Sequence, residues 1–269
     1  IDKAIQIWKA VAARGDRPSR TKAEYAAVNA QLKFGSIKRP EAINRLERLK
    51  FGWRNSVFEY DLLQRLGELY ALEHNLRDAL VTLRQAATLY KDIKGARRIT
   101  LQMRALFRQF YLEGKADRLE PIVALGLYNE FRELTPSGDD GDLMIRKLAS
   151  RLMAVDLLDD ASALLDHQIK FRLKGKKRAT VGARLASLQL SNNKPLDAIA
   201  ALDASLGEKL SNDLGERRRL LRAEALMRAK RYNEALKVVE NDFLIGSTGC
   251  GPKFTGVQAG GLRLLGPLR

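Results

Sequence analysis

The fold is decided by the stretch Leu63-x2-Leu66-Gly67-x2-Tyr70-x8-Ala79-x3-Leu83-x2-Ala86. Its apolar residues are three or four positions apart, which is the spacing of one buried stripe on an α-helix. The eight-residue gap divides the stretch into two such helices joined by a turn. Because Gly67 and Ala79 are small, we expect the two helices to cross closely at these residues. The stretch therefore predicts a helix–turn–helix unit.

The unit recurs along the chain at a fixed step. Its marker alanines are Ala42, Ala79, Ala116, Ala161, Ala198 and Ala235. Every interval is 37 residues except the one from Ala116 to Ala161, which is 45 residues. The residue four positions after the alanine is apolar in five of the six units (Leu46, Leu83, Leu165, Leu202 and Val239). Self-similarity of this length predicts stacked helical hairpins that bury their apolar faces only against their neighbours.

The pattern resembles the tetratricopeptide repeat (TPR), a helix–turn–helix unit usually about 34 residues long. The chain departs from the family at Lys91, where proline is usual. The resemblance implies an all-α fold, a right-handed α-solenoid of TPR-like repeats with a period of about 37 residues over residues 1–243. Residues 244–269 contain seven of the 20 glycines, so we expect a tail that is poorly ordered or of artificial origin.

The sequence also contains residues that are typical of helix starts. Thr21-Lys-Ala-Glu24 and Ser56-Val-Phe-Glu59 have the pattern of a capping box, which satisfies free N–H groups where a helix begins. Pro40 and Pro121 lie where a helix could start, because proline lacks an N–H that the first turn would leave unbonded. These signals predict helix starts near residues 21, 40, 56 and 121.

The interval after Ala116 is eight residues longer than the others. Thr135–Gly141 is rich in Pro, Ser, Gly and Asp and is predicted as the loop that lengthens this interval. Apolar residues spaced by three or four from Ile122 to Leu134 predict an amphipathic helix before it. The unit itself is degenerate, because Arg104 and Glu120 occupy a small and an apolar position. We therefore expect a distorted repeat with unusually long helices.

The net charge of +16 is unevenly distributed. Basic residues exceed acidic ones by seven in residues 1–50, by four in residues 51–116 and by nine in residues 167–240, whereas residues 117–166 carry an acidic excess of six. The densest basic clusters are Lys174, Lys176, Lys177 and Arg178, and then Arg217, Arg218 and Arg219. They could bind phosphates of nucleic acid or lipid. They could equally be exposed turns that complement a helix dipole, and no aromatic residue that could stack on bases is interleaved with them.

The sequence offers no catalytic or cofactor chemistry. Cys250 is the only cysteine, and His74 and His167 have no second ligand at metal-binding spacing. Gly246–Lys253 lacks the Gly-Lys-Ser/Thr end of a phosphate-binding loop. No apolar run reaches the 18 residues expected of a membrane span. We therefore predict a non-enzymatic protein without cofactor, metal or membrane span.

In TPR proteins the first helix of each pair lines a concave groove. The resemblance places eight residues in that groove: Gln64, Glu68, Arg146, Ser150, Ser187, Arg217, Glu224 and Arg228. The Lys and Asn set with which some family members clamp a terminal carboxylate is absent from these positions. The mixture of Arg, Glu and Ser suits an extended or helical peptide held by charge-assisted hydrogen bonds.

The leading hypothesis is a protein–protein interaction scaffold that binds a peptide or protein segment in this groove. Two alternatives stay open: an RNA- or anionic-surface-binding helical repeat that uses the basic clusters, and a self-associating module that dimerises through its end helices. Because the chain begins at Ile1 without Met, we expect a fragment of a larger bacterial protein. The run Leu127–Asp140 is similar to long exported TPR proteins of alphaproteobacteria, which favours the periplasm over the cytoplasm.

Overall fold

The computed structural model describes residues 2–52, 56–90, 95–206 and 210–246, without the side chains of Asp2, Ala96 and residues 240–246. These residues form thirteen α-helices, two short 3₁₀ helices and no strand, so the all-α prediction is confirmed. The helices are α1 (Asp2–Arg14), α2 (Arg17–Lys33), α3 (Arg39–Leu49), α4 (Val57–Leu72), α5 (Leu76–Leu89), α6 (Ala96–Leu112), α7 (Pro121–Glu130), α8 (Asp139–Ala154), α9 (Leu158–Phe171), α10 (Gly175–Ser191), α11 (Pro195–Ala204), α12 (Asn212–Arg228) and α13 (Tyr232–Gly246).

The chain divides into two compact units, Ile1–Ala161 (unit 1) and Ser162–Arg269 (unit 2). Each unit is built from helices that pack against their neighbours in sequence, such as α4 with α5 in unit 1 and α10 with α11 in unit 2. A single solenoid over residues 1–243, its right-handedness and its period of 37 residues stay predictions.

The hairpin of α4 and α5 shows how one unit is built. A Cβ atom added to Gly67 would lie 2.5 Å from Cγ of Leu83, so the small residue permits the close approach of the two helices. Ala79 and Leu83 are fully buried in the same contact. His74, with φ of 60°, makes the turn, as its position between the helices predicted.

The marker alanines all face the interior. Ala42, Ala79, Ala116, Ala161, Ala198 and Ala235 are at most 2% exposed. Four of the apolar residues four positions later are buried as well (Leu46, Leu83, Leu165 and Leu202). Val239 differs, with 50% of its surface exposed. It lies on α13, the last helix of the described residues.

The predicted start at Ser56 is confirmed. The Ser56 hydroxyl accepts a hydrogen bond from the backbone N–H of Glu59 at 3.3 Å, as a capping box requires. The Ser56 N–H donates to the hydroxyl of Tyr90 at 3.3 Å, and that hydroxyl donates to Oε2 of Glu59 at 2.6 Å. Tyr90 thus connects the two ends of the box and joins the start of α4 to the end of α5. Pro40 and Pro121 lie in the first turns of α3 and α7, as predicted.

The predicted start at Thr21 is wrong, because α2 begins one turn earlier. Asp16 is the cap, and its carboxylate accepts a hydrogen bond from the backbone N–H of Ser19 at 3.3 Å. Pro18 occupies the first turn, where its missing N–H costs nothing. Thr21 is buried within the helix and its hydroxyl donates to the carbonyl of Arg17 at 2.8 Å. An acidic cap followed by proline therefore outweighed the Thr-x-x-Glu pattern.

The unit around Ala116 is distorted, but its second helix is short rather than long. Ala116 lies in a three-residue 3₁₀ helix, and α7 ends at Glu130. Phe131 leaves the helical path and is fully buried, with the guanidinium of Arg84 4.5 Å from its ring centre. The predicted loop also ends early, because α8 begins directly after Gly138, whose φ of 73° suits glycine.

The predicted tail falls largely outside the described residues. The helix α13 continues to Gly246, three residues beyond the expected boundary at residue 243. Residues 247–269, including Cys250, are not among those the structure describes. Within the described residues, every helix is too short or too polar to cross a bilayer.

Candidate functional site

The eight residues predicted for the groove all lie on first helices of the hairpins, but they fall in different units. Unit 1 holds Gln64 and Glu68 on α4 and Arg146 and Ser150 on α8. Unit 2 holds Ser187 on α10 and Arg217, Glu224 and Arg228 on α12. All eight are exposed or half-buried. We therefore describe two surfaces, one for each unit.

The α4 residues are already engaged with one another. Nε2 of Gln64 donates to Glu68 at 3.3 Å, and a guanidinium nitrogen of Arg65 donates to the same carboxylate at 3.1 Å. Nε of Arg65 also donates to Oδ1 of Asn29 at 2.8 Å, which ties α4 to α2. The Glu68 charge is thus balanced inside the unit. We conclude that these residues stabilise the contact between α2 and α4 more than they offer a free charge.

The helix α6 carries exposed residues that the sequence reasoning missed. Leu101 and Ala105 lie 37 residues after Gln64 and Glu68, and Leu101 is 57% exposed. Arg97 and Arg104 are exposed on the same helix face, and neither makes an ion pair with the described residues. The 37-residue step was the signal that could have identified them. The unit around Ala116 is degenerate, so its other positions did not predict a helix of the same kind there.

The helix α8 lies beside α6 and runs parallel to it. Nε of Arg108 on α6 is 2.6 Å from Asp140 at the start of α8, and Nζ of Lys147 donates to the carbonyl of Leu112 at 3.2 Å. Arg146 is exposed on α8, next in sequence to Lys147, whose contact with Leu112 places it beside the end of α6, and it makes no ion pair with the described residues. We call the exposed set Arg97, Leu101, Arg104 and Arg146 the α6–α8 face.

In unit 2 the structure corrects the basic patch predicted from Arg217, Arg218 and Arg219. Arg217 and Arg219 are exposed, but Arg218 is only 6% exposed. Its guanidinium donates to the carbonyls of Ala179 and Leu202 at 2.7 and 2.6 Å.

Arg218 also donates to the hydroxyl of Ser205 at 3.0 Å, so its guanidinium joins α10, the end of α11 and α12. Burial, with the nearby charge of Arg222, lowers the pKa of Arg218. The 37-residue step could have identified Arg218 as a buried position, because Val181 and Met144, one and two steps earlier, are apolar and buried. The residue stabilises the unit and does not belong to a surface patch.

The second basic cluster lies at the start of α10. Lys174, Lys176 and Lys177 are exposed there, and Arg178 is half-buried. The positive end of the helix dipole lies at this terminus, so the cluster does not complement the dipole as the turn interpretation expected.

Two of the four groove residues of unit 2, Glu224 and Arg228, pair with each other. A guanidinium nitrogen of Arg228 is 2.6 Å from Glu224, and another donates to the carbonyl of Leu190 at 2.9 Å. Ser187 accepts a hydrogen bond from the hydroxyl of Ser191 at its carbonyl, 3.1 Å away. Arg217 keeps an exposed charge. Among the described residues, no group of His, Cys, Asp or Glu is placed to hold a metal ion.

The known proteins that are similar to this chain are found among solved structures. No protein-family model and no curated protein matches the chain. Among solved structures, BtubC (BKLC) from P. vanneervenii is similar with a TM-score of 0.38 and 16% identity, covering 88% of this chain and 98% of that chain. A putative kinesin light chain with nearly identical TPR-like repeats from Podosopora anserina has a TM-score of 0.33 and 16% identity, covering 86% of this chain and 97% of that chain.

The assignment of TPR-like repeats rests on the chain itself. Helices such as α4 and α5 form hairpins, the marker alanines are buried, and the turn residues His74, Asp156, Asn193 and Lys230 all have φ near 60° between consecutive helices. The described residues therefore form TPR-like α-helical repeats.

Proposed function

We propose that this chain is a non-enzymatic scaffold that binds another protein through the exposed faces of its first helices. In unit 1 the binding surface is the α6–α8 face. The observation that supports this proposal is that Arg97 and Arg104 lie one turn on either side of the exposed Leu101 on α6, while Arg146 is exposed on the neighbouring α8. None of the three arginines has an ion pair with the described residues. Arginine is enriched at protein interfaces, and the buried centre of an interface is more apolar than its rim.

The chemistry of the face favours an acidic partner segment. A guanidinium forms bidentate hydrogen bonds with a carboxylate, and it loses little hydration on doing so. The exposed side chain of Leu101 would contact an apolar residue of the same segment. RNA is the weaker candidate, because the face contains no aromatic residue on which bases could stack.

Charge reversal tests this assignment. A random-peptide display library is selected on the purified chain, and the enriched peptides are measured by fluorescence anisotropy. We expect peptides rich in Asp and Glu, and a loss of affinity of roughly 3- to 100-fold on the variant R97E/R104E/R146E, since each exposed pair contributes about 0.2–1 kcal/mol. The matched control K9E/R14E/R20E changes the net charge equally, at exposed residues of α1 and α2.

Two results would contradict the assignment. One is that the selected peptides bind both variants alike, which would move the binding surface away from α6 and α8. The other is that homopolymeric RNA binds more tightly than any peptide, with affinity falling steeply as salt rises, which is the behaviour of phosphate contacts.

One observation favours self-association as a second candidate. Tyr232, Leu236 and Val239 lie four and three positions apart along α13 and are all at least half exposed. An apolar helix face of this kind at the end of a repeat array can pair with a second copy. Sedimentation equilibrium of the variant L236E tests it: if the face mediates a dimer, the variant is monomeric at concentrations where the unaltered chain is not.

A further inference from the structure

Unit 1 contains a cleft at the turn between α4 and α5. Two adjoining recesses, of about 560 and 350 Å³, share His74, Leu76, Phe110 and Leu119 in their walls. We call the pair the His74 cleft. Its combined size is in the range of peptide-anchor and small-molecule pockets. No residue of the α6–α8 face lines either recess.

The floor of the cleft is apolar. Leu76 and Phe110 belong to the core of the unit, with only a small part of each side chain exposed, and Leu119 is half-buried. On the larger recess, Val123 adds an exposed apolar wall. Gly126 opens the same recess, because a Cβ atom added there would meet no atom within 4 Å. The cleft therefore has room for an apolar side chain from outside.

The two ends of the cleft differ in charge. At the larger recess, Arg77 and Glu130 form a two-armed ion pair at 2.7 and 2.9 Å, so their charges cancel. At the smaller recess, Lys115 and Arg118 are exposed, and neither forms an ion pair with the described residues. An apolar floor thus meets uncompensated positive charge at one end only.

We propose that the His74 cleft binds an acidic peptide segment of a partner protein. One apolar side chain of about the size of Leu or Phe enters the recess above Leu76 and Phe110, and a carboxylate nearby in the segment pairs with Lys115 and Arg118. The charge complementarity selects this occupant, because an uncharged apolar segment would leave both cations without partners. The site is separate from the α6–α8 face, so it goes beyond the function proposed above.

Filling the cleft tests the proposal. Random 12-residue peptides on a display library are selected against the purified chain, and affinities of the enriched peptides are measured for three chains. Gly126→Trp places a large side chain at the mouth of the recess, whereas Gly126→Ala adds one methyl group that touches nothing. The double variant K115E/R118E reverses both uncompensated charges without altering the floor.

We expect the enriched peptides to carry an apolar residue within about three positions of Asp or Glu. Their affinity should fall at least about tenfold on Gly126→Trp, which corresponds to losing the burial of one apolar side chain. A similar loss is expected on K115E/R118E, and Gly126→Ala should bind as the unaltered chain does. Circular dichroism confirms that the variants keep their helices.

The proposal is overturned if no peptide is enriched, if peptides bind Gly126→Trp and K115E/R118E unchanged, or if replacing their Asp and Glu by Asn and Gln leaves affinity the same. The variant R97E/R104E/R146E separates the two surfaces. Peptides that bind it normally but fail on Gly126→Trp support the cleft even where the α6–α8 face is not used.

Discussion

Replacing Gly182 by Ala on α10 should destabilise unit 2, although Ala is the better helix former. A Cβ atom at Gly182 would overlap both Oγ and Cβ of Ser205, and it would lie 3.2 Å from the guanidinium of Arg218. Ser205 is fully buried, its hydroxyl donates to the carbonyl of Ala201 at 2.6 Å, and it accepts from Arg218 at 3.0 Å. Ser205 therefore cannot give way without breaking contacts of α11 and α12.

The magnitude follows from three contributions. Overpacking a well-filled interior costs about 1–3 kcal/mol. Losing the hydrogen bond from the charged Arg218 costs about 1.5–3 kcal/mol. Helix propensity returns about 1 kcal/mol when Gly becomes Ala. We expect a net loss of about 3 kcal/mol in the free energy of unfolding.

Urea unfolding followed by far-UV circular dichroism measures this loss, and Gly215→Ala on α12 is the matched control. A Cβ atom at Gly215 meets nothing within 4 Å, so the control should be more stable than the unaltered chain by about 0.5–1 kcal/mol. Adding Ser205→Gly to Gly182→Ala should recover part of the loss, because it removes the overlapping atoms. If both Ala variants shift stability in the same direction, the packing of Gly182 against Ser205 is not as described.

Two further predictions concern unit 1. Asp16→Ala should lower the stability by about 1 kcal/mol through loss of the α2 cap, whereas Asp16→Asn keeps a capping oxygen. Equal thermal unfolding of the two variants would speak against that cap. Tyr111 is buried, its hydroxyl donates to the carbonyl of Ala124 at 2.7 Å, and burial raises its pKa above the ordinary 10.0. The Tyr111 hydroxyl therefore stabilises the fold fully below pH 10, and this stabilisation is lost as the pH rises further. In urea unfolding, the unaltered chain should be more stable than Tyr111→Phe by about 1 kcal/mol at pH 7, and this difference should narrow above pH 10. A difference that stays constant with pH would refute this.

Short sequence patterns predicted most of the fold, because helix starts and hairpin crossings depend on residues that are close together in the chain. The hairpin of α4 and α5 needs small residues where its helices cross, and Gly67 and Ala79 supply them within a short stretch of chain. The start at Ser56 was predictable for the same reason. Thr21 was predicted wrongly because two cap signals compete within one turn, and the acidic residue and proline before it satisfy the helix end first.

The candidate site was harder to predict, because the state of each charge depends on contacts between helices. Arg217, Arg218 and Arg219 are the same residue type, yet Arg218 is buried and donates to carbonyls of α10 and α11, whereas Arg217 and Arg219 are exposed. The period could have identified Arg218 as an interior position, but an arginine there contradicts the usual preference for apolar residues. Leu101 keeps the 37-residue step from Gln64, but the repeat around it is degenerate, so the other repeat positions gave no support for a surface there.

The segments with the largest basic excess are not the segments that hold the two proposed binding surfaces. The largest basic excesses lie in residues 1–50 and 167–240, but the cations without ion pairs in the two proposed surfaces lie between them, in residues 97–146. Arg218 shows one reason, since its donors are used by carbonyl oxygens of neighbouring helices, at 2.7 Å for Ala179 and 2.6 Å for Leu202. An arginine engaged in this way cannot also bind a ligand carboxylate with the same nitrogen atoms. For a helical repeat of this composition, the donors that remain unbound, rather than the total charge, determine which face can recognise an acidic partner.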